Sequence, residues 1–203
     1  GNLVTMAWWD DLWLNESFAS LMEHVALAAT HPEWHQWEHY AATDIIHTTS
    51  RDVHKDIMAI SVEVDDPEMI ETLFDPGIVY TKGGRLIKML LEYVGEDAFR
   101  EGLQHYFQKH KYGNTVRTDL WAALEKASGK PINDLMDGWL TQPGLPMLSV
   151  DTTTDGLQVS QQRFVIDGST DDTLWHIPLL RTAADEHILT KANEVLPDAN
   201  NET

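Results

Sequence analysis

Trp8-Trp9-Asp10-Asp11-Leu12-Trp13-Leu14-Asn15-Glu16-Ser17-Phe18-Ala19 leads into the first long helix of the chain and is its most distinctive stretch. Leu14, Phe18, Leu21, Val25 and Ala28 recur at three- and four-residue steps, the spacing of one buried helical stripe. Glu16 and Glu23 lie two turns apart and share a different face of that helix. Tryptophan at positions 8, 9 and 13 predicts a wall of aromatic packing around something buried. Glu16 sits just inside the helix start, where the N-terminal field favours a carboxylate, and it could face a metal if other ligands arrive from elsewhere. The plainer alternative is a solvated Glu on an amphipathic helix.

Outward from this stretch the helical grammar continues. His31-Pro32 suits the first turn of a second helix running through Trp34, Ala41 and Ile45, because proline lacks only an N–H that would be unpaired there anyway. Asp66-Pro67-Glu68 reads as another helix start, and Ile78 to Val94 as a helix that stops at Gly95. Phe99, Leu103 and Phe107 mark the next, ending near Gly113-Asn114. Thr118-Asp119 caps a helix through Ala127 that Gly129 terminates, and Pro131 begins one reaching about Leu140. The pattern changes at Gln142-Pro143-Gly144. Met147 to Thr153 and Leu157 to Phe164 alternate in hydrophobicity around Asp155-Gly156, a hairpin signal, and Leu174 to Leu180 and His187 to Lys191 predict further strands. So few strands cannot close a sandwich alone. The expected organisation is a helical unit over residues 1–146 followed by the start of a β domain over 147–203.

The chain has 203 residues, with 33 acidic against 14 basic side chains and a formal net charge of −19. Such a charge repels nucleic acid and anionic membrane surfaces, so neither is expected as a partner. Hydrophobic residues make up 42%, enough for a core, and no apolar run approaches the ~20 residues of a membrane helix. Cysteine is absent, so any zinc must be held by His, Asp or Glu. Gly1-Asn2-Leu3-Val4-Thr5 starts without Met, and Asn200-Asn201-Glu202-Thr203 follows a short strand-like run, so the sequence reads as a segment of a longer protein.

Gly1-Asn2-Leu3-Val4-Thr5, the Trp8-Trp9 pair and Trp13-Leu14-Asn15-Glu16 together resemble the zinc aminopeptidase N (alanyl aminopeptidase) family. The likeness continues, in order and spacing, through Val79-Tyr80-Thr81-Lys82-Gly83-Gly84, Phe99-Arg100-Glu101-Gly102-Leu103 and Asp119-Leu120-Trp121 to Gln161-Gln162-Arg163-Phe164. It implies the helical latter part of a thermolysin-like catalytic domain followed by a partial β-sandwich. In the family an H-E-x-x-H helix is followed by a Glu that completes the Zn2+ site. Carried over, that Glu is Glu16, with the H-E-x-x-H motif and the Gly-x-Met-Glu-Asn segment that grips the substrate amino group lying upstream of Gly1. The resemblance also implies that the Tyr80 phenol steadies the oxyanion during hydrolysis of peptide substrates, where a core tyrosine would otherwise be the default reading. Glu23 becomes a candidate to support a zinc-bound imidazole, with an exposed helix Glu as the alternative. The rest of the parent chain, the upstream H-E-x-x-H segment and a downstream helical domain, is then an expected partner, the isolated segment is expected to be inactive, and the likeness to bacterial cytosolic members suggests a cytoplasmic parent.

Two positions depart from the family pattern. Ser17 stands where glycine is usual and Gly84 where alanine is usual; both keep the side chain small. Gly83-Gly84 inside a helix costs ~1–2 kcal/mol against alanine, which predicts a close backbone contact. His110 and Asn114 match a family stretch and are assigned structural roles. A second motif competes for attention: His35-Gln36-Trp37-Glu38-His39 fits the inverted H-x-x-E-H pattern, and His31, His35 and His39 are expected to line one helical face. Its flanks do not resemble that peptidase family, and an exposed polar helix surface accounts for the histidines. A non-catalytic helical module binding peptide through its Trp-rich end is the alternative of a different class.

Overall fold

The computed structural model describes residues 3–180 and 186–197; Gly1-Asn2 and Asn200-Asn201-Glu202-Thr203, used above, lie outside the described residues. Strand β1 (Val4–Met6) leads through a 3-10 turn, Trp9–Asp11, into α1 (Leu12–Thr30). Leu14 and Leu21 are buried on the core side of α1, as the stripe predicts, with Phe18 and Val25 packed against the same cluster. The aromatic wall divides, however. Trp13 is buried against Trp121, ring centroids 6.3 Å apart, whereas Trp8 is 60% exposed and Trp9 37% exposed. The Trp8 indole is anchored only at its edge, Nε1 donating to the Val64 carbonyl at 3.2 Å.

The single second helix expected after His31 is instead a broken run. A 3-10 turn at Pro32–Trp34 ends on His35, whose backbone is left-handed (φ 49°). The chain restarts as α2 (Gln36–Tyr40), widens to a π-helical turn at Ala41–Ile45 and continues as α3 (Ile46–Asp52). Asp66 does cap a helix start, accepting from the Glu68 N–H at 2.9 Å, but the segment Pro67–Leu73 is 3-10. A second π-helical turn, Pro76–Lys82, precedes α4 (Gly83–Val94). Then come α5 (Glu96–His110), β2 (Gly113–Thr115), α6 (Arg117–Ser128) and α7 (Ile132–Thr141). The Gly113-Asn114 stretch, read as a helix end, therefore also forms a strand: β2 pairs in parallel with β1, Val4 opposite Gly113 and Met6 opposite Thr115.

Beyond the linker, β3 (Pro146–Thr153) and β4 (Gly156–Arg163) form the expected hairpin. Its tip is Thr154-Asp155, one residue earlier than the sequence signal, since Thr153 pairs with Gly156. β5 (Ile177–Leu180) and β6 (Glu186–Leu189) make a separate antiparallel ribbon, and β7 (Asn193–Leu196) adds to β4. The chain is thus mainly helical with small sheets. One apolar cluster runs from Trp13, Ile87 and Leu90 through Met136 and Leu140 to Val159, Trp175 and Leu196. Trp139 links the two regions, its ring 6.0 Å from Trp175 and its Nε1 donating to the His176 carbonyl at 2.7 Å.

Helices α1 and α4 meet at the two glycines. A Cβ at Gly83 would lie 1.9 Å from Ser17 Oγ, and one at Gly84 would lie 3.2 Å from Ser20 Cβ. Glycine is therefore required at position 83 by contact, despite its poor helix propensity. We expect Gly83→Ala to lose ~1–3 kcal/mol through overpacking, more than its propensity gain returns. Removing the opposing side chain should relieve this, so Ser17→Gly/Gly83→Ala should recover most of the loss in urea unfolding. An equal loss from Gly83→Ala in both backgrounds would refute contact as the cause.

Candidate metal and catalytic site

Glu16 lies in the second turn of α1 and is half-buried. Tyr80 lies on the π-helical turn Pro76–Lys82 and is also half-buried. The fold brings the two together, the Glu16 carboxylate within reach of the Tyr80 hydroxyl. Burial first, then the hydrogen-bonding influence and negative charge of Glu16, push the Tyr80 pKa above its ordinary 10.0, because each disfavours a phenolate. Glu16 forms no ion pair with a cation among the described residues. Its carboxylate can therefore accept a further partner, and a metal cation is one chemically suitable kind.

Local sequence explains how the Tyr80 turn is built. Asp75 Oδ1 accepts from the Gly77 and Ile78 N–H groups at 2.9 and 3.0 Å, and Pro76 occupies the first turn. Single π-helical turns recur at functional sites because the wide turn re-aims one side chain. Three of its carbonyls are met by hydroxyls from other elements. Ser17 Oγ donates to Val79 O at 2.6 Å, Tyr40 to Thr81 O at 2.7 Å and Thr48 Oγ1 to Gly77 O at 3.3 Å. Burial holds the Tyr40 pKa up at about 12, so this donor stays protonated. Ser17, noted in the sequence only as a small replacement, thus joins the turn bearing Tyr80 to the helix bearing Glu16. The Asp75-Pro76 pair was the available signal for this turn, the same cap-and-proline pattern that marks Asp66-Pro67.

The other candidates fall outside this pair. Glu23 is exposed, and its side chain has no hydrogen bond or ion pair among the described residues. His31, His35 and His39 do not share a face, because the left-handed backbone at His35 breaks the helix. His31 stacks on Trp34 at 4.1 Å, and no group of three His, Asp or Glu side chains is placed to hold a metal among the described residues. His110 lies 3.8 Å from Asp119, and Asn114 Nδ2 donates to Thr5 Oγ1 at 2.6 Å, stitching β2 to β1. Asp11 was not singled out in the sequence, yet it is buried, accepting from the Arg117 backbone N–H at 2.9 Å and pairing with its guanidinium at 3.0 Å. This ties the entry of α1 to that of α6.

Residues 1–139 match the Peptidase family M1 domain. Aminopeptidase N of Lactococcus lactis subsp. lactis is 48% identical over 181 residues, 88% of this chain and 21% of that protein. Leucyl aminopeptidase of Saccharolobus solfataricus is 37% identical over 203 residues, covering 97% and 25% of the respective chains. Tricorn protease-interacting factor F2 of Thermoplasma volcanium is 38% identical over 195 residues, covering 96% and 24%. The chain belongs to peptidase family M1. It spans about a fifth to a quarter of the length of these curated relatives.

The sign of the Tyr80 shift gives a test of the juxtaposition. With its folded pKa raised, the stability that protonated Tyr80 contributes is complete below pH 10 and is lost as pH rises through the higher folded value. In the metal-free chain, tyrosinate absorbance should show Tyr80 ionising above its ordinary range, identified by difference against Tyr80→Phe. Glu16→Gln should move that titration down, part of the way, since burial remains. No movement would mean that the two groups do not touch in solution.

Proposed function

We propose that this chain is the part of a zinc-dependent aminopeptidase that supplies one metal ligand, Glu16, and one oxyanion donor, Tyr80. The observation that carries the reading is the meeting of these side chains, far apart in sequence, in a chain of peptidase family M1. The donor set fits a single ligand: a half-buried carboxylate with no cationic partner among the described residues. Bound zinc supplies a Lewis acid that polarises a carbonyl and lowers the pKa of water. Glu16 would hold that ion from α1. The Tyr80 O–H would point at the oxygen on which charge develops when the scissile carbonyl of a peptide is attacked. By the family resemblance, the remaining ligands and the general base come from an H-E-x-x-H segment and the amino-group contacts from Gly-x-Met-Glu-Asn. Glu23, exposed here, would reach a zinc-bound imidazole only from such a segment packed against this face of α1.

The same reading makes residues 1–146 the helical part of a thermolysin-like peptidase domain and 147–203 the start of a β-sandwich domain. The strand that begins at Pro146 and the added β7 support the second assignment. Peptides are the proposed substrates and the cytoplasm the proposed compartment of the parent. No helix among the described residues is long and apolar enough to cross a membrane. The net charge of −19 disfavours nucleic acid as a partner.

In the full-length enzyme, Glu16→Ala should lose zinc, measured by metal analysis after gel filtration. Tyr80→Phe should keep zinc and lose ~10²–10³ in kcat, the usual effect of deleting an oxyanion donor. The opposite pairing of results would overturn both roles. Residues 1–203 alone should bind no stoichiometric zinc and turn over no aminoacyl substrate; activity of the rigorously purified segment would contradict the single-ligand assignment.

A further inference from the structure

We propose that Arg51 and Asp52, adjacent at the C-terminal end of α3, are positioning residues for Tyr80, acting as a charge-matched clamp on both ends of its turn. This rests on the role given to Tyr80 above. At the start of the turn, Arg51 engages Asp75 with both terminal nitrogens, Nη1 to Oδ1 at 3.0 Å and Nη2 to Oδ2 at 2.5 Å. Asp75 is the residue that caps the turn through Gly77 and Ile78. At the far end, Lys82 Nζ lies 2.8 Å from Asp52 Oδ2 and donates to Gly144 O at 2.7 Å. The Asp52 and Lys82 side chains are only 3% and 8% exposed. Tyr80 sits between these anchor points, half-buried.

The arrangement has a directional logic. An Arg–carboxylate fork fixes orientation as well as distance, unlike a single contact. The second pair is isolated from water, so its partners cannot exchange for solvent without leaving a buried charge uncompensated. With Arg51 on an acid at one end and Asp52 on a base at the other, a slip of the turn along α3 would separate both pairs. The clamp therefore fixes the turn along its own axis, while Ser17 fixes its distance from α1. Such restraint suits a hydroxyl that must meet a reacting oxygen, because misplacement by an ångström costs rate even when binding is intact.

A double-mutant cycle in the full-length, zinc-loaded enzyme tests this, with kcat, KM, metal content and thermal unfolding measured for Arg51→Gln, Tyr80→Phe and the double variant. Arg51→Gln should lower kcat ~10-fold, with KM and zinc content within about twofold of the parent. Arg51→Lys, which keeps the charge but not the fork, should restore part of the rate. In the Tyr80→Phe background, Arg51→Gln should have no further effect on kcat. If it lowers kcat by the same factor in both backgrounds, Arg51 acts through general stability and the clamp is overturned while the role of Tyr80 stands. If Tyr80→Phe itself keeps full kcat, the role of Tyr80 fails and the clamp with it. Should Arg51→Gln not fold, Asp52→Asn/Lys82→Met carries the same cycle, because it leaves no unpaired charge in the buried site.

Discussion

Helix α1 can approach α4 as closely as it does only because no side chain stands at Gly83, where a Cβ would meet Ser17 Oγ at 1.9 Å. That contact lets Ser17 donate to the Val79 carbonyl on one side of the interface. One residue before Ser17 is Glu16, and one residue after Val79 is Tyr80. The hydrogen bond between backbone-proximal groups thus sets how far apart Glu16 and Tyr80 stand. A hydroxyl at position 17 supplies a donor that glycine could not. The glycines opposite leave room for it.

The helical run opposite this interface is interrupted repeatedly, and the interruptions share a physical consequence. The left-handed residue His35 redirects the chain just before α2, and the π-helical turn Ala41–Ile45 does so between α2 and α3. Tyr40, Thr48, Arg51 and Asp52 all come from this stretch, and all reach the turn Pro76–Lys82 or its cap, Asp75. A wide turn has carbonyls poorly served by its own ladder, so external donors stabilise it. The same contacts make α3 and the Tyr80 turn a single packed unit rather than a loop beside a helix.

Lys82 extends this unit toward the strands. Its ammonium bridges Asp52 and the Gly144 carbonyl in the linker, and burial lowers its pKa against the opposing pull of Asp52. Gly144 has φ 86° and lies against Arg163 of β4. Arg163 in turn pairs with Asp171 and donates to the Lys55 carbonyl, just beyond α3. Contacts therefore run from the Tyr80 turn through Gly144 to the first hairpin, alongside the apolar contact of Trp139 with Trp175.

The amino-acid sequence alone determined the stripe of α1, the helices that end at Gly95 and Gly129, the hairpin after Pro146 and the family likeness that singles out Glu16 and Tyr80. Those are local or family-wide signals: periodicity, glycine at a positive φ, alternation, and short motifs in fixed order. Only the tertiary structure decided that the helix expected from His31 breaks at His35, that Trp13 is buried while Trp8 is not, and that Gly113-Asn114 pairs as a strand with β1. It also decided which charges meet, Arg51 with Asp75 and Asp52 with Lys82. The reason is that packing between segments distant in sequence overrides weak local preference, and an ion pair leaves no periodic trace along the chain.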